Sequence, residues 1–508
     1  MDYRSEYVKV RNYIDGKWVE TPQDIDCMPI FNPSTGEQIG EVPLYDEASV
    51  CEAVESSQKA LKAWRDTKVE KRAKYLFDLR NKMVEYHEEL AHIIARDQAK
   101  HISDARGEVA RVIQIVENAC GLPNMLIGEK FEISANTRGQ VVRQPLGVVG
   151  ALSPFNFPAL VFGWYIPYAI GCGNTIVYKA SEQSPIFMQR MMEIFEEIGL
   201  PPGVVNLVNG DYRVGDAILN NEIIRGVCFV GSTKVGQHIA EVCAQTGKRS
   251  QVLAGAKNGI LVLKDCNRPG FLAQLQNSAF GAAGQRCMAG SNVFIEEACY
   301  DEMIELITEM AGKVPVGDAL DPDVYMGPVI SDKSVERIDS FVDGAVSEGA
   351  RLVLDGRNPE LGENLKDGYF VKPTILADVT PSMTIAKEEV FGPVLSLIKV
   401  KNFQEGVDYM NASRYGNGGT IFTQNGYYAE SFLHQIDVGM AGVNIGVPAS
   451  MPYLPFGGNK ASLLGSGLKA QGHDGIEFFT TRNVATIQFF EEESEVSSEA
   501  PKTCCGGK

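Results

Sequence analysis

The sequence lacks the motifs that define several specialised classes of protein. Its eleven cysteines include no CxxC pair, and its six histidines form no HExxH. An odd number of scattered cysteines favours free thiols in a reducing compartment over a disulfide framework or a zinc site. No apolar run is long enough to cross a bilayer, and none near the start is typical of a signal peptide. We therefore expect a cytoplasmic protein without a bound metal.

An excess of positive charge is also missing. The chain has 47 Lys and Arg against 65 Asp and Glu, for a formal net charge of −18. Such an acidic surface argues against nucleic acid or an anionic membrane as a partner. It does not exclude an anionic small-molecule substrate, because a local cationic pocket can lie within an acidic field.

The length of 508 residues exceeds what one hydrophobic core serves, and predicts two or three domains. The first 125 residues combine a hairpin over 12–19 with helices that start at Asp46, over 70–99 and over about 104–126. Residues 131–145 alternate around a central turn and predict a polar hairpin, and 476–490 predict a late strand. The tail at 491–508 is charged and poor in apolar residues, so we expect it to be disordered.

From residue 146 onward, short runs rich in Val and Ile alternate with helical segments. The first series of predicted strands lies at 146–152, 174–180, 203–208, 226–231 and 258–263. Runs of this kind are typical of buried parallel strands and predict a doubly wound α/β sheet, whose ligands bind beyond the carboxyl ends of the strands. A second α/β series within 256–455 has predicted strands at 291–297, 349–356, 368–376, 393–400 and 419–424.

The strongest chemical signal is FGAAGQRCM, residues 280–288. Glycines let a backbone approach a ligand closely, and a cysteine beside a cation can become an activated thiolate. Cys287, next to Arg286, is therefore a candidate nucleophile. The alternative is a small buried hydrophobic residue, which is what most free cysteines are.

Two polar stretches follow the first predicted parallel strands. In SPFNFP, residues 153–158, Asn156 offers an amide donor between two aromatic residues, which suits stabilisation of an oxyanion. A rigid turn flanked by prolines is the alternative. In YKASE, residues 178–182, Lys179 and Glu182 can hold a ribose. Glu182 favours NAD over NADP because it repels a 2′-phosphate, although a simple surface pair is the alternative.

Two further turns have weaker signatures. FVGSTKVG, residues 229–236, places Gly231 and Ser232 before a helix whose first amides can bind a pyrophosphate. Its GxxxxG spacing differs from the usual GxGxxG, and an ordinary helix cap is the alternative. EEVFGPV, residues 388–394, offers Glu389 and Phe391 for a second ribose and a flat ring, with another turn as the alternative.

In this order and spacing, SPFNFP, YKASE, FVGS, GQRCM and EEVFGP resemble the aldehyde dehydrogenase superfamily over about residues 12–490. The resemblance implies an α/β fold with a Rossmann-type NAD-binding domain, at 1–130 and 146–255, and an α/β catalytic domain at 256–455. It also implies a β oligomerisation arm, at 131–145 and 476–490, that builds homodimers or homotetramers.

The resemblance also implies the roles of individual residues. Cys287 is the nucleophile, and Asn156 forms the oxyanion hole with the Cys287 backbone amide. The thiolate adds to an aldehyde carbon, the adduct expels hydride to NAD, and a thioester remains on the enzyme. The residues implied at the cofactor NAD are Ser153, Phe155, Lys179, Ser181, Glu182, Gln183, Gly231, Ser232, Ala254, Glu389 and Phe391.

Release of the thioester distinguishes branches of the superfamily. Hydrolytic members carry a general-base Glu in an E-L-G-G-K motif, where this sequence has LAGAKN, residues 253–258, with Leu253 in its place. The missing base and the GAKN core resemble the methylmalonate-semialdehyde dehydrogenase branch, in which the thiol of coenzyme A (CoA) receives the acyl group. We expect NAD-dependent, CoA-acylating oxidation of methylmalonate or malonate semialdehyde, with decarboxylation to propanoyl-CoA or acetyl-CoA. Acylating or hydrolytic oxidation of another short-chain aldehyde or semialdehyde is the alternative.

In that branch two arginines grip the substrate carboxylate, and they correspond here to Arg111 and Arg286. An ordinary surface charge on a helix is the alternative for Arg111. The sequence departs from the branch at Gly259, where the branch usually has His, and at Gln183, where it usually has Arg. Residues 451–460 are closer to generic aldehyde dehydrogenases. These departures concern the substrate more than the general reaction.

Overall fold

The computed structural model describes residues 2–449 and 451–490, so the tail predicted to be disordered at 491–508 lies outside the described residues. The strands are β1 Val8–Lys9, β2 Tyr13–Ile14, β3 Lys17–Trp18, β4 Cys27–Phe31, β5 Gln38–Pro43, β6 Glu129–Ser134, β7 Thr137–Pro145, β8 Val148–Leu152, β9 Thr175–Lys179, β10 Val205–Leu207, β11 Ile224–Val230, β12 Arg249–Leu253, β13 Asn258–Val262, β14 Gly290–Glu296, β15 Arg351–Leu354, β16 Thr374–Ala377, β17 Val394–Val400, β18 Tyr415–Gly416, β19 Gly418–Phe422, β20 Met440–Val443, β21 Asn459–Lys460, β22 Leu463–Gly465 and β23 Thr480–Gln488.

The α-helices follow the same numbering. They are α1 Glu47–Arg65, α2 Val69–Glu85, α3 His87–Asp97, α4 Ile102–Cys120, α5 Leu122–Met125, α6 Pro158–Gly171, α7 Ile186–Glu197, α8 Tyr212–Asn220, α9 Thr233–Thr246, α10 Arg268–Phe280, α11 Tyr300–Gly312, α12 Asp332–Ser347, α13 Thr384–Lys387, α14 Phe403–Ala412, α15 Gly426–Gln435 and α16 Gly472–Phe479. None of the helices within these residues is long and apolar enough to cross a membrane.

The first large sheet, as described, has eight strands in the order β22-β12-β11-β8-β9-β10-β2-β3. Strands β8 to β12 are parallel, and β8 lies between β9 and β11, so the order of strands reverses there. A reversal of this kind creates a crevice at the carboxyl ends of the strands, where doubly wound folds bind their ligands. Four predicted strands of the first series lie in this sheet as β8 to β11, and the hairpin around Asp15-Gly16 is confirmed. The fifth, predicted over 258–263, is β13 of the second sheet, and the sequence analysis missed β12.

The helical cover of this sheet differs from the prediction in two places. The helix predicted over 70–99 is wrong as a single element, because α2 ends and α3 begins at Tyr86. The helix predicted to run to about 126 ends at Gly121, after which α5 forms a separate turn. Both α2 and α3 pack against α4.

The second large sheet, as described, has seven strands in the order β15-β16-β17-β14-β13-β19-β20. Strand β13 is parallel to both β14 and β19, so the centre of this sheet is parallel as well. The strand predicted over 368–376 is wrong in its first part, because β16 begins at Thr374. Pro373 has no N–H to donate to a ladder, and Lys372 instead donates its N–H to Gly356.

Strands β6, β7 and β23 form a separate ribbon that matches the predicted arm. Strands β23 and β7 pair antiparallel, from Thr480 opposite Pro145 to Gln488 opposite Thr137. The late strand predicted from 476 is wrong over its first residues, because these belong to α16. Ile476, Phe478 and Phe479 are buried there, where α16 packs against α6.

The two large sheets are joined by residues 254–257, between β12 and β13. The chain later returns to the first sheet, because β22 pairs with β12. The division of the chain into domains at 146, 256 and 455 stays a prediction.

Candidate active site

The turn that carries Cys287 has an unusual backbone. After α10, Ala282, Ala283 and Gly284 have φ angles of 50°, 53° and 70°. The left-handed region is unfavourable for residues with a Cβ, and such residues concentrate at functional sites. Gly284 is required for a second reason, because a Cβ there would lie 2.3 Å from the Gly392 oxygen. The loop is therefore packed directly against the turn that contains Glu389 and Phe391.

Two amide side chains hold the backbone of Cys287. The Cys287 carbonyl oxygen accepts hydrogen bonds from Asn258 Nδ2 at 2.9 Å and from Asn417 Nδ2 at 2.8 Å. Asn258 begins β13 and Asn417 lies just before β19, so two neighbouring strands fix the position of the thiol. Sequence reasoning missed both roles. Asn258 lies in the GAKN core and Asn417 in the stretch YGNG, residues 415–418. Nothing in the spacing of these stretches shows that the two side chains meet at Cys287.

Asn156 lies beside the same loop, although it comes from the first sheet. It follows β8, is 5% exposed, and donates Nδ2 to the Gln285 carbonyl oxygen at 2.8 Å. An amide nitrogen carries two hydrogens, so this bond leaves one donor for another acceptor. The structure thus brings the predicted oxyanion donor within two residues of Cys287 along the loop.

The electrostatic surroundings of Cys287 favour its thiol form. Burial, followed by repulsion from Glu389, raises its pKa to about 12, against the opposing effects of backbone amides and Arg286. Burial also raises the pKa of Glu389 to about 7, while the Ala256 N–H, Arg337 and Lys257 oppose the shift.

Leu253 lies at the carboxyl end of β12 and is 5% exposed. It belongs to the large hydrophobic core that also includes Met288 and Phe456. A leucine accepts no proton, so this position supplies no general base to water.

The remaining predicted cofactor residues line the carboxyl ends of the first sheet. Lys179 pairs with Glu182 at 2.7 Å at the end of β9, and the Ser153 N–H, at the end of β8, donates to the Lys179 carbonyl at 3.1 Å. Ser232 precedes α9 without capping it through its side chain, so the first amides of this helix stay open to an anion. The other residues predicted at these strand ends are Phe155, Ser181, Gln183, Gly231 and Ala254.

Glu389 and Phe391 form the opposite wall of the crevice. Phe391 has a φ of 58°, and its ring meets that of Phe155 edge to face, with centroids 5.9 Å apart. A Cβ at Gly255 would lie 2.6 Å from Thr233 Oγ1 and 2.9 Å from Glu389 Oε2. The crevice therefore narrows at Gly255, where the backbone lies between the N-terminus of α9 and the partly buried carboxylate of Glu389. These features suit an extended dinucleotide.

The two arginines have different surroundings. Arg111, on α4, is partly exposed, and its Nη1 lies 3.7 Å from Met451 Sδ. Arg286 Nη2 pairs with Asp104 at 2.8 Å, and Nη1 donates to Asn277. Within the described residues, Arg286 Nε is buried and has no hydrogen-bond partner. Arg286 is thus a cation whose position is fixed by Asp104 and Asn277, and whose Nε–H has no acceptor among the described residues.

The sequence profile of the aldehyde dehydrogenase family matches residues 18–484, which is most of the chain. The chain belongs to the aldehyde dehydrogenase family. Its fold, with two α/β sheets and a β ribbon, agrees with the predicted fold class. No group of three or more His, Cys, Asp or Glu side chains within residues 2–449 and 451–490 is placed to hold a metal ion.

Among curated relatives, malonate-semialdehyde dehydrogenase 2 of Oceanobacillus iheyensis is 44% identical over 481 residues, covering 94% of this chain and 98% of the relative. Malonate-semialdehyde dehydrogenase of Listeria monocytogenes is 42% identical over 482 residues, covering 95% and 98%. Among solved structures, a putative methylmalonate-semialdehyde dehydrogenase from Sinorhizobium meliloti 1021, complexed with NAD, has a TM-score of 0.93 and 35% identity, covering 96% of this chain and 99% of the other. Methylmalonate-semialdehyde dehydrogenase from Oceanimonas doudoroffii also has a TM-score of 0.93, with 37% identity and coverage of 95% and 99%.

Proposed function

We propose that this protein oxidises malonate or methylmalonate semialdehyde with NAD and transfers the acyl group to CoA, with loss of carbon dioxide. The observation that carries the proposal is the apolar side chain of Leu253, where hydrolytic relatives have a general-base Glu. The semialdehyde names of relatives more than 40% identical over nearly the whole chain support the substrate class.

The cofactor is proposed to occupy the crevice at the carboxyl ends of β8, β9 and β11. Lys179 and Glu182 would hold the adenosine ribose, the first amides of α9 the pyrophosphate, and Glu389 with Phe391 the nicotinamide side. When bound, NAD supplies the hydride acceptor. Its nicotinamide ring is positively charged, so its arrival beside Glu389 would favour ionisation of Cys287.

The steps at Cys287 balance as follows. The thiolate forms a bond to the aldehyde carbon, and the resulting oxyanion is stabilised by Asn156 and the Cys287 N–H. Collapse of this adduct expels hydride and leaves a thioester on Cys287. In a malonyl thioester the carboxylate lies β to the carbonyl, so it leaves as carbon dioxide and a proton replaces it. The CoA thiolate then displaces the Cys287 thiolate.

The proposal is tested by measuring NADH formation from malonate semialdehyde with and without CoA. Without CoA, we expect one burst of NADH equal to the enzyme concentration and then turnover at least about a hundredfold slower, because the thioester lacks a general base for hydrolysis. With CoA, turnover should continue and acetyl-CoA should accumulate. Steady turnover at the same rate without CoA would show that the enzyme is hydrolytic.

A hydrolytic dehydrogenase is the second candidate, and one observation favours it. Glu389 is a partly buried carboxylate whose pKa is raised to about 7 and whose charge raises the pKa of Cys287. In this case Glu389, rather than a residue at 253, would be the base. The assay without CoA distinguishes the two candidates.

Arg111 and Arg286 are proposed to bind the substrate carboxylate. Replacing either residue with Gln should raise the KM for malonate semialdehyde about tenfold to a hundredfold, because a hydrogen bond between two charges contributes about 1.5–3 kcal/mol. The KM for propanal, which has no carboxylate, should stay within about twofold. Arg106→Gln is the matched control, because Arg106 is exposed on the same helix and pairs with Glu88. Equal effects on both aldehydes would contradict the carboxylate role.

The ribbon formed by β6, β7 and β23 is proposed to pair with a second copy of the chain. Phe131, Ile133 and Val484 are 54%, 61% and 75% exposed on it, which is unusual for apolar residues on an isolated ribbon. A homodimer or homotetramer built through this arm would cover them.

A further inference from the structure

Helix α4 contacts both loops of the candidate active site through one of its faces. Asp104, Glu108 and Arg111 are four and three residues apart, a spacing that places them on the same side of a helix. Asp104 bonds to the loop of Cys287, which belongs to the second sheet. Glu108 bonds to the loop of Asn156, which belongs to the first. These two loops supply the nucleophile and the oxyanion donor. Within the described residues, no helix other than α4 has carboxylates that accept hydrogen bonds from both segments of the chain.

Glu108 is a fully buried carboxylate whose two oxygens have different partners. Oε1 accepts the N–H groups of Ala159 at 2.9 Å and Leu160 at 3.0 Å, in the first turn of α6. Oε2 pairs with Lys100, and both side chains are 1% exposed. Lys100 Nζ in turn donates to the Asn156 carbonyl at 2.6 Å and lies 3.7 Å from the centre of the Phe157 ring. The pair thus holds the backbone at Asn156 itself and at the start of α6, three and four residues later.

Asp104 binds the cysteine loop in a comparable way. Its Oδ2 accepts the N–H of Ala282 at 3.0 Å and pairs with Arg286 Nη2 at 2.8 Å. Ala282 is the first of the three successive left-handed residues, and Arg286 immediately precedes Cys287. Asp104 therefore fixes the loop at both ends of its strained segment.

The cost of burying Lys100 and Glu108 indicates that this pair serves more than stability. Buried ion pairs are often no more stabilising than apolar residues of the same size, because both ions lose their hydration. Here the two pairs lie where loops of two different sheets meet, and their hydrogen bonds end on backbone atoms beside Asn156 and Cys287.

We propose that Asp104 and Glu108, the latter with Lys100, are positioning residues that fix the oxyanion donor Asn156 relative to the nucleophile Cys287. This inference rests on the proposed roles of those two residues. Displacement of a donor by about 1 Å can lower a rate about a hundredfold. The distance between the Asn156 amide and the Cys287 thiol therefore needs a rigid support. A single helix that carries both carboxylates supplies it.

The test replaces Lys100 with Met and Glu108 with Gln in one variant. Both charges disappear together, so neither is left unpaired, and Gln retains an oxygen for the two α6 amides. With propanal as substrate, which removes any effect on a carboxylate site, we expect kcat to fall about tenfold to a hundredfold. The KM for NAD should stay within about twofold. Glu117→Gln is the matched control on the exposed side of α4, where Glu117 pairs with Arg80, and it should leave kcat unchanged.

Two further variants make the outcome decisive. In an Asn156→Ala background, the Lys100→Met/Glu108→Gln pair should lower kcat by less than about twofold, because there is no longer an amide to position. Asp104→Asn, at a partly exposed site, should lower kcat for propanal about tenfold on its own. It is an independent test should the buried variant fail to fold. An unchanged kcat in Asp104→Asn, or an equal loss in both backgrounds, overturns the inference. An unchanged kcat in Asn156→Ala alone would instead refute the proposed role of Asn156.

Discussion

Replacing Cys287 with alanine is expected to abolish NADH formation, with a loss of about four orders of magnitude or more. No other group in the described site is placed to form the thioester, and loss of a covalent nucleophile removes the whole reaction path rather than one stabilising contact. Binding of NAD should persist, because the residues at the carboxyl ends of β8, β9 and β11 are untouched. The measurement is steady-state NADH formation together with quenching of intrinsic fluorescence by NAD.

The matched control for this variant is Cys51→Ala. Cys51, like Cys287, is a partly exposed free cysteine, but it lies on α1, far from the strained loop in the chain. It should retain full activity. If Cys287→Ala kept measurable turnover while Cys51→Ala lost it, the assignment of the nucleophile would be wrong.

Replacing Leu253 with glutamate is expected to create turnover that does not need CoA. Leu253 is 5% exposed, so burial would raise the pKa of a carboxylate at this position, which suits a general base. We expect the rate of thioester hydrolysis to rise about a hundredfold or more. The measurement is NADH formation without CoA, followed by analysis of the released acid.

Leu253→Gln is the control for this substitution, because glutamine has the shape of glutamate but accepts no proton at neutral pH. It should stay dependent on CoA and should disturb packing to a similar degree. Equal CoA-independent rates in the two variants would mean that water access, rather than a missing base, limits hydrolysis. The proposed acylating function would then need another explanation.

The sequence predicted most of the fold because its strands are short apolar runs between clear turns. All five predicted strands of the first parallel series occur, with ends that differ by a few residues. The break at Tyr86 was missed because the apolar period continues through it. The end of α4 was also missed, although Gly121 and Pro123 mark it in the sequence. The apolar run at 476–479 has strand-like composition, yet burial against α6 makes it helical.

The active site could be predicted only as far as its residues lie in motifs. Cys287 and Asn156 were identified through glycine-rich or proline-rich surroundings. Lys100, Glu108 and Asn417 were not identified, because each contacts a part of the chain that is distant in sequence. Lys100 donates to a carbonyl 56 residues away, and Asn417 donates to one 130 residues away. A side chain that bonds to backbone leaves no spacing signal, and the same holds for the pairing of Arg286 with Asp104.

The β ribbon has a consequence for how the enzyme responds to dilution. All six residues of β6 are exposed. A three-stranded ribbon whose apolar side chains face solvent gains little folding free energy of its own. A second copy that covers it would stabilise it by mass action, so the ribbon would loosen first as the protein is diluted. Strand β7 ends at Pro145 and β8 begins at Val148, on the strand that leads to Asn156. The concentration of the protein would therefore be felt, through the two residues that join these strands and then along β8, at the amide proposed to stabilise the oxyanion.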